Sequence, residues 1–241
     1  MLLLLFIKLY INERTLSRKK EGLNHMKKLT SHTSILIILF YLIAQFLPVI
    51  IISLAPKNFQ TEASVYGTIF SFTLGAVVML LLNRKSTIRN SLTLSPSLPK
   101  KSIIYWGIAG IPLVLLAQYI ANLIEILVLD IPVDSVNTQN ILLIVNSYPI
   151  YMIIVSIMGP IMEEFVFRKV IFGFLYDITG GIGAAVISSL IFAFMHFDGH
   201  ILLYSAMAFV FCFLYSKTKN IATPIITHII MNTVVILVNF L

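Results

Sequence analysis

From Ser34 to Ala55 the chain carries no charged side chain, and from Ala63 to Leu82 it again carries none. Apolar runs of about 20 residues match the hydrocarbon thickness of a bilayer when wound as helices. In lipid every backbone polar group must be satisfied within the chain, which leaves only helices or closed barrels. Seven runs qualify as candidate spans: 34–55, 63–82, 102–129, 150–177, 181–197, 200–216 and 221–241. The connections among the last three are very short, so these segments must pack as neighbours. Residues 141–145 read as a short helix at the surface. The expected fold is all-α, a polytopic membrane helix bundle of about seven transmembrane helices.

Composition excludes the main alternatives. Charged residues make up 11% of the chain and hydrophobic ones 59%, whereas a soluble domain carries about 25% charged residues. A soluble enzyme, a disordered tail and a nucleic-acid-binding domain are all ruled out, and the implied partner is the lipid bilayer. The single cysteine, Cys212, excludes an internal disulfide and any cysteine-based zinc or iron–sulfur site. The net charge of +7 is explained by where the charges lie. Lys8, Arg14, Arg18, Lys19, Lys20, Lys27 and Lys28 precede the first span. Arg84, Lys85, Arg89, Lys100 and Lys101 lie between the second and third, and Lys217 and Lys219 between the sixth and seventh. Alternation puts all three groups on one side, which the positive-inside rule assigns to the cytoplasm. Asp130, Asp134 and Asp198 fall on the other side, and an odd number of spans leaves the C-terminus there too.

Residues 1–11 are apolar but too short to span, and a polar, basic stretch follows them. A secretory signal has the opposite order. Two readings fit: a surface-lying anchor, or translation starting at Met26. The chain divides into a basic N-terminal segment (1–33), N-terminal transmembrane helices (34–140) and a catalytic membrane domain (141–241).

Ionisable residues inside a membrane are costly and mark functional sites. The densest group is Glu163-Glu164-Phe165-Val166-Phe167-Arg168, just after Gly159-Pro160. Proline removes a helical hydrogen bond, so the helix is expected to kink or restart there, leaving the glutamates near a new N-terminus. Glu164 and Arg168 stand four apart in the favourable order for an ion pair. Glu163 points about 100° away and lacks that partner, which frees it to act as a base. Phe192 and His196 share a face at the end of the fifth span, with Asp198 and His200 in the loop beyond. His228 and Asn232 share a face of the seventh. Measured from the cytoplasmic ends, Glu163 lies about 21 Å deep, His196 about 22 Å, Asn232 about 16 Å and His228 about 10 Å. All four can meet in one polar pocket. A carboxylate with a histidine could deprotonate water, and a histidine with an asparagine amide could bind an oxyanion. Alternatively, Glu163, His196 and His228 could hold a zinc ion that activates the water. The soluble H-E-x-x-H spacing is absent, and the residues leave metal-free and metal-assisted chemistry both open. Glu125, in the third span, has no evident partner beyond a position near the outer interface.

Glu163-Glu164-x-x-x-Arg168, Phe192-x-x-x-His196 and His228-x-x-x-Asn232, in this order on successive spans, resemble the CAAX protease and bacteriocin-processing family. These proteins are also called abortive-infection or lysostaphin-resistance-like. The resemblance covers roughly residues 147–241, and none of the three motifs departs from the pattern. It implies an all-helical intramembrane endopeptidase of membrane-associated peptides or proteins. On that resemblance Glu163 activates water with His196, Glu164 and Arg168 support the site, and His228 and Asn232 stabilise the oxyanion. The family has been described both as metalloproteases and as glutamate-dependent proteases. In eukaryotes it removes the tail after a prenylated cysteine; in bacteria it is associated with bacteriocin immunity and peptide maturation. Richness in Ile, Leu, Asn and Lys points to an AT-rich bacterial genome, hence to a bacterial plasma membrane and a peptide substrate. Two rivals remain: an immunity or binding protein on the same fold, and a small transporter. A transporter would spread polar residues over all spans and show inverted repeats; here they cluster in the last four and no repeat is visible.

Overall fold

The computed structural model describes residues 31–132 and 135–239. The anchor and start-site readings at residues 1–26, and Asp134, lie outside the described residues. Helix α1 spans His32–Leu54 and α2 spans Gln60–Arg84, joined by a 3-10 turn at Lys57–Phe59. The four-residue α3 (Ser91–Leu94) is closed by a capping box between Asn90 and Thr93. Then come α4 (Lys100–Leu129) and α5 (Val136–Ser147), the latter capped by the Ser135 hydroxyl. A 44-residue helical run, Tyr151–Phe194, follows. The chain ends in α8 (Ile201–Thr218) and α9 (Ala222–Val238).

The 44-residue run is not one rod. Gly180 leaves the helical region with φ 75° and ψ 174°, a conformation open to glycine and strained for other residues. The Ser188 hydroxyl donates to the Phe167 carbonyl at 2.8 Å, and the Phe167 and Phe192 rings meet edge to face at 5.1 Å. In a straight helix residues 167 and 188 would stand about 31 Å apart. The run therefore folds back at Gly180 into two antiparallel helices, α6 (151–179) and α7 (181–194), as the division into 150–177 and 181–197 anticipated. All described elements are helical. By length and composition five helices can cross a membrane: His32–Leu54, Lys57–Arg84, Lys100–Leu129, Tyr151–Phe194 and Ile201–Thr218; Ala222–Val238 is apolar but shorter.

Lipid replaces water as the solvent of the outer surface. Leu54, Leu127 and Ile182 are more than three-quarters exposed, which is costly in water and neutral against acyl chains. The larger core cluster draws on α1 (Ile37, Tyr41), α2 (Met79), α4 (Val114), α6 (Phe165, Phe167), α7 (Phe192), α8 (Phe211) and α9 (Met231), and a smaller one joins Leu92, Phe172, Ala184, Cys212 and Tyr215. Helix α8 is the innermost span, with half of its apolar window buried against 17% for α4.

Without a hydrophobic force between helices, small residues and stray carbonyls make the contacts. Pro48 has no N–H for the Ala44 carbonyl; the Ser71 hydroxyl of α2 donates to that oxygen instead, at 3.0 Å. Gly107 and Gly110 let α4 touch α9. A methyl group on Gly110 would lie 2.5 Å from Thr227 Oγ1 and 2.6 Å from Leu214 Cδ1, and Thr227 Oγ1 donates to the Gly107 carbonyl at 2.7 Å. Gly110→Val should therefore push α9 outward at a cost of about 1–3 kcal/mol, seen as a lower Tm in detergent than for wild type.

Candidate active site

Gly159-Pro160 does not restart α6, contrary to the sequence expectation. Met158 (φ −70°, ψ −44°) and Gly159 (φ −55°, ψ −59°) stay right-handed helical. The missing proline N–H is absorbed in wide π-type turns at Ile154–Met158 and Glu164–Phe172, a device frequent at functional sites. Gly159 N–H donates to Ile154 O rather than to Val155 O. In the same five-residue register Val155 O would need the N–H of Pro160, which has none. The Asn232 amide fills that role, with Nδ2 donating to Val155 O at 3.0 Å. Because the helix runs through, Glu163 and Glu164 sit in its interior, and no new N-terminus supports their charge.

That support comes from side chains. Glu164 and Arg168 are both fully buried, with Nε to Oε2 at 3.2 Å, as the i, i+4 spacing predicted. The other Glu164 oxygen, Oε1, accepts from His228 Nδ1 at 2.8 Å. The guanidinium carbon lies 4.4 Å from the Phe192 ring centre and 4.9 Å from that of Phe211. Among the described residues Nη1 and Nη2 of Arg168 meet no hydrogen-bond acceptor, so the aromatic faces take the rest of its charge. His228 is stacked on Phe211 with ring centres 4.6 Å apart and 19° between planes. It is thereby clamped with Nδ1 on Glu164 and Nε2 turned to Glu163, 3.6 Å from Oε2. Glu163 has no basic partner on its own helix comparable to Arg168 but meets His228 from α9, and its side chain keeps 21% exposure while Glu164 keeps none.

Glu163, His196, His228 and Asn232 all line one cavity of about 790 Å³. His196 sets its own tautomer. Its Nδ1 lies 2.9 Å from the Phe192 carbonyl, which can only accept, so Nδ1 carries the proton and Nε2 keeps the lone pair. The ring is stacked on Tyr204 at 3.8 Å and 21°. The Tyr204 hydroxyl donates to Asp198 Oδ2 at 2.9 Å, and the Ser135 hydroxyl donates to the same oxygen at 2.7 Å. Zinc is not matched by this donor set. The Nδ1 partners of His196 and His228 leave both Nε2 atoms available to ligate, but among the described residues no three His, Cys, Asp or Glu side chains converge as a metal site.

The sequence reading missed several supports. Tyr204, Ser135 and Phe211 act through ring faces and hydroxyls, which leave no spacing signal. Glu125 and His200 did leave one: two costly ionisable groups near the same membrane face. Glu125 is fully buried near the end of α4 and has a partner, and His200 is more than a loop residue. Glu125 Oε2 meets His200 Nδ1 at 2.8 Å, while Oε1 accepts from the Leu203 N–H in the first turn of α8 at 3.0 Å. The carboxylate of one span thus caps another, fixing the turn before Tyr204.

A family model described as type II CAAX prenyl endopeptidase Rce1-like matches residues 145–234, a range that contains all six motif residues. A Bacillus subtilis relative, YdiL, named as a membrane peptidase, is 42% identical over 215 residues, covering 83% of this chain and 86% of its own. The membrane-embedded CAAX protease MroQ of Staphylococcus aureus is 34% identical over 220 residues, covering 86% of this chain and 89% of its own. No solved structure matches the chain.

The cluster predicts unequal roles for adjacent residues. Arg168→Ala leaves the Glu164 carboxylate buried without its guanidinium, which should cost about 3–5 kcal/mol and lower Tm and yield. Glu163→Gln changes a group open to the cavity and should leave Tm unchanged. Thermal unfolding of both variants in detergent checks the contrast.

Proposed function

Because this chain belongs to the Rce1-like family of type II CAAX prenyl endopeptidases, membrane-embedded proteases, we propose that Glu163 is its general base in hydrolysing membrane-associated peptides. One observation carries this reading. Of two adjacent glutamates, Glu164 is locked between Arg168 and His228, while Glu163 reaches the cavity beside His228. The locked carboxylate positions; the open one reacts.

In this mechanism Glu163 takes a proton from a cavity water, helped by the free Nε2 of His196, as the water adds to the scissile carbonyl. His228, through Nε2, and Asn232, through its second N–H, stabilise the oxyanion. The proton on Glu163 then passes to the amine as the C–N bond breaks. Arg168 and Glu164 hold His228 in place, and Tyr204 positions His196. No step is routed through a metal. The biological role we favour is peptide maturation, with bacteriocin self-immunity as its neighbouring form. We further read α6, α7 and α9 as separate crossings, which with α1, α2, α4 and α8 makes seven. The hairpin at Gly180 supports this count.

A cleavage assay in liposomes against a library of membrane-associated peptides tests the chemistry. Glu163→Gln should lower kcat by about 10²–10⁴-fold, and Asn232→Ala by about 10²–10³-fold, at unchanged protein level. A strong chelator should leave the wild-type rate unchanged. Cleavage by Glu163→Gln at the wild-type rate would sink the assignment and favour a contact-based immunity role.

A second expectation concerns Tyr204. Tyr204→Phe keeps the stack on His196 but loses the bond to Asp198, so kcat should fall modestly. Tyr204→Ala removes both and should reduce kcat further with KM little changed. Steady-state kinetics on one cleaved peptide distinguishes the two.

A further inference from the structure

The two ends of the bundle are chemically distinct, and the cavity opens at only one of them. At the first end, Thr33 meets Thr87 through their hydroxyls, Leu98 N–H donates to Thr218 O at 3.0 Å, and Ser91 N–H donates to the Asp177 carboxylate. These contacts bring together the start of α1, the loop between α2 and α4, and the ends of α6 and α8. The basic stretches 84–101 and 217–219 belong to this end. Among the described residues the only loop cation at the other end is Lys57.

The cavity has its floor towards the basic end and its walls towards the other. Tyr41 and Phe167 line it and meet edge to face at 5.8 Å; beyond them Lys169 Nζ donates to Asn83. The walls rise through Gln118 and Asn122 of α4 to Asn137 and Gln139 of α5 and Asn239 after α9. Gln139 and Asn239 are exposed. No described residue from 84–101, 173–184 or 214–224 lines the cavity.

We propose that substrate reaches Glu163 from the extracytoplasmic side, as a peptide segment presented at the outer face of the membrane. Excess Lys and Arg mark the cytoplasmic side of short-looped membrane proteins, which puts the sealed end inside and the open end outside. The wall suits an extended peptide: neutral amides bond to backbone N–H and C=O groups, and among the described residues no Lys, Arg or Asp lines the cavity. The inference rests on the protease reading for its substrate, but its geometry stands apart from catalysis.

Single cysteines test it in intact cells with a membrane-impermeant maleimide; native Cys212 is buried and gives a silent background. Gln139→Cys and Asn239→Cys report the rim from two different elements, and Ser97→Cys reports the basic end. The expected result is labelling of the rim cysteines in intact cells, with Ser97→Cys labelled only after permeabilisation. Rim cysteines protected until permeabilisation, with Ser97→Cys labelled first, overturn the proposal. Neither result depends on cleavage, so failure of the protease reading would show separately, as an inert wild type with correctly labelled rims.

Discussion

The site depends on how two carboxylates on successive residues are kept in one low-dielectric bundle. Burying either alone would cost several kcal/mol. The chain shares the load unequally. Glu164 receives Arg168 on one oxygen and His228 on the other, and Arg168 spreads its remaining charge over Phe192 and Phe211. These partners come from α6, α7, α8 and α9, so the ion cluster also ties four helices together. Packing that would be weak between apolar helices in lipid is anchored at a point where separation would strand a charge.

The backbone around this cluster follows a second economy. At two prolines within spans a carbonyl is deprived of its donor, and a neighbouring helix supplies one. Ser71 serves Ala44 ahead of Pro48, and Asn232 serves Val155 ahead of Pro160. In α6 the π-type turns keep the helix continuous through Pro160, so Glu163, Glu164 and Arg168 remain in one register. Asn232 thus has a structural duty in the same place where it lines the cavity. Its side chain is oriented by the backbone it repairs, which fixes the direction of its second N–H.

Much of this was legible in the chain itself. Uncharged runs of bilayer length located the long helices, and the i, i+4 spacings paired Glu164 with Arg168 and set His228 beside Asn232. The break between the fourth and fifth segments was visible too, because Gly180-Gly181 interrupts an apolar pattern. What stayed hidden depended on partners far apart in sequence. That His228 uses Nδ1 for Glu164, that Tyr204 stacks on His196 and that Glu125 caps α8 are facts of tertiary packing, with no period to betray them. Of the two outcomes expected at Pro160, the restart did not occur, because a proline forbids one hydrogen bond without specifying how the helix recovers. A restart and a widened turn both satisfy the local chemistry, and the contact with Asn232 from α9 favours the second.

In the proposed route of access, the α5 end of the bundle links the cavity mouth to the proposed reacting groups. Ser135 caps α5, whose residues form part of the rim, and the same hydroxyl donates to Asp198, the acceptor that fixes Tyr204 against His196. Glu125 braces the adjoining turn through His200 and Leu203. On that proposal, a displacement of α5 would be felt at the Tyr204 hydroxyl before it reached His196. His228 is thus held in the interior by Glu164 and Phe211, while His196 is held both by Phe192, whose ring faces Arg168, and by Tyr204 at the mouth, so Phe192 joins the two sides of the site.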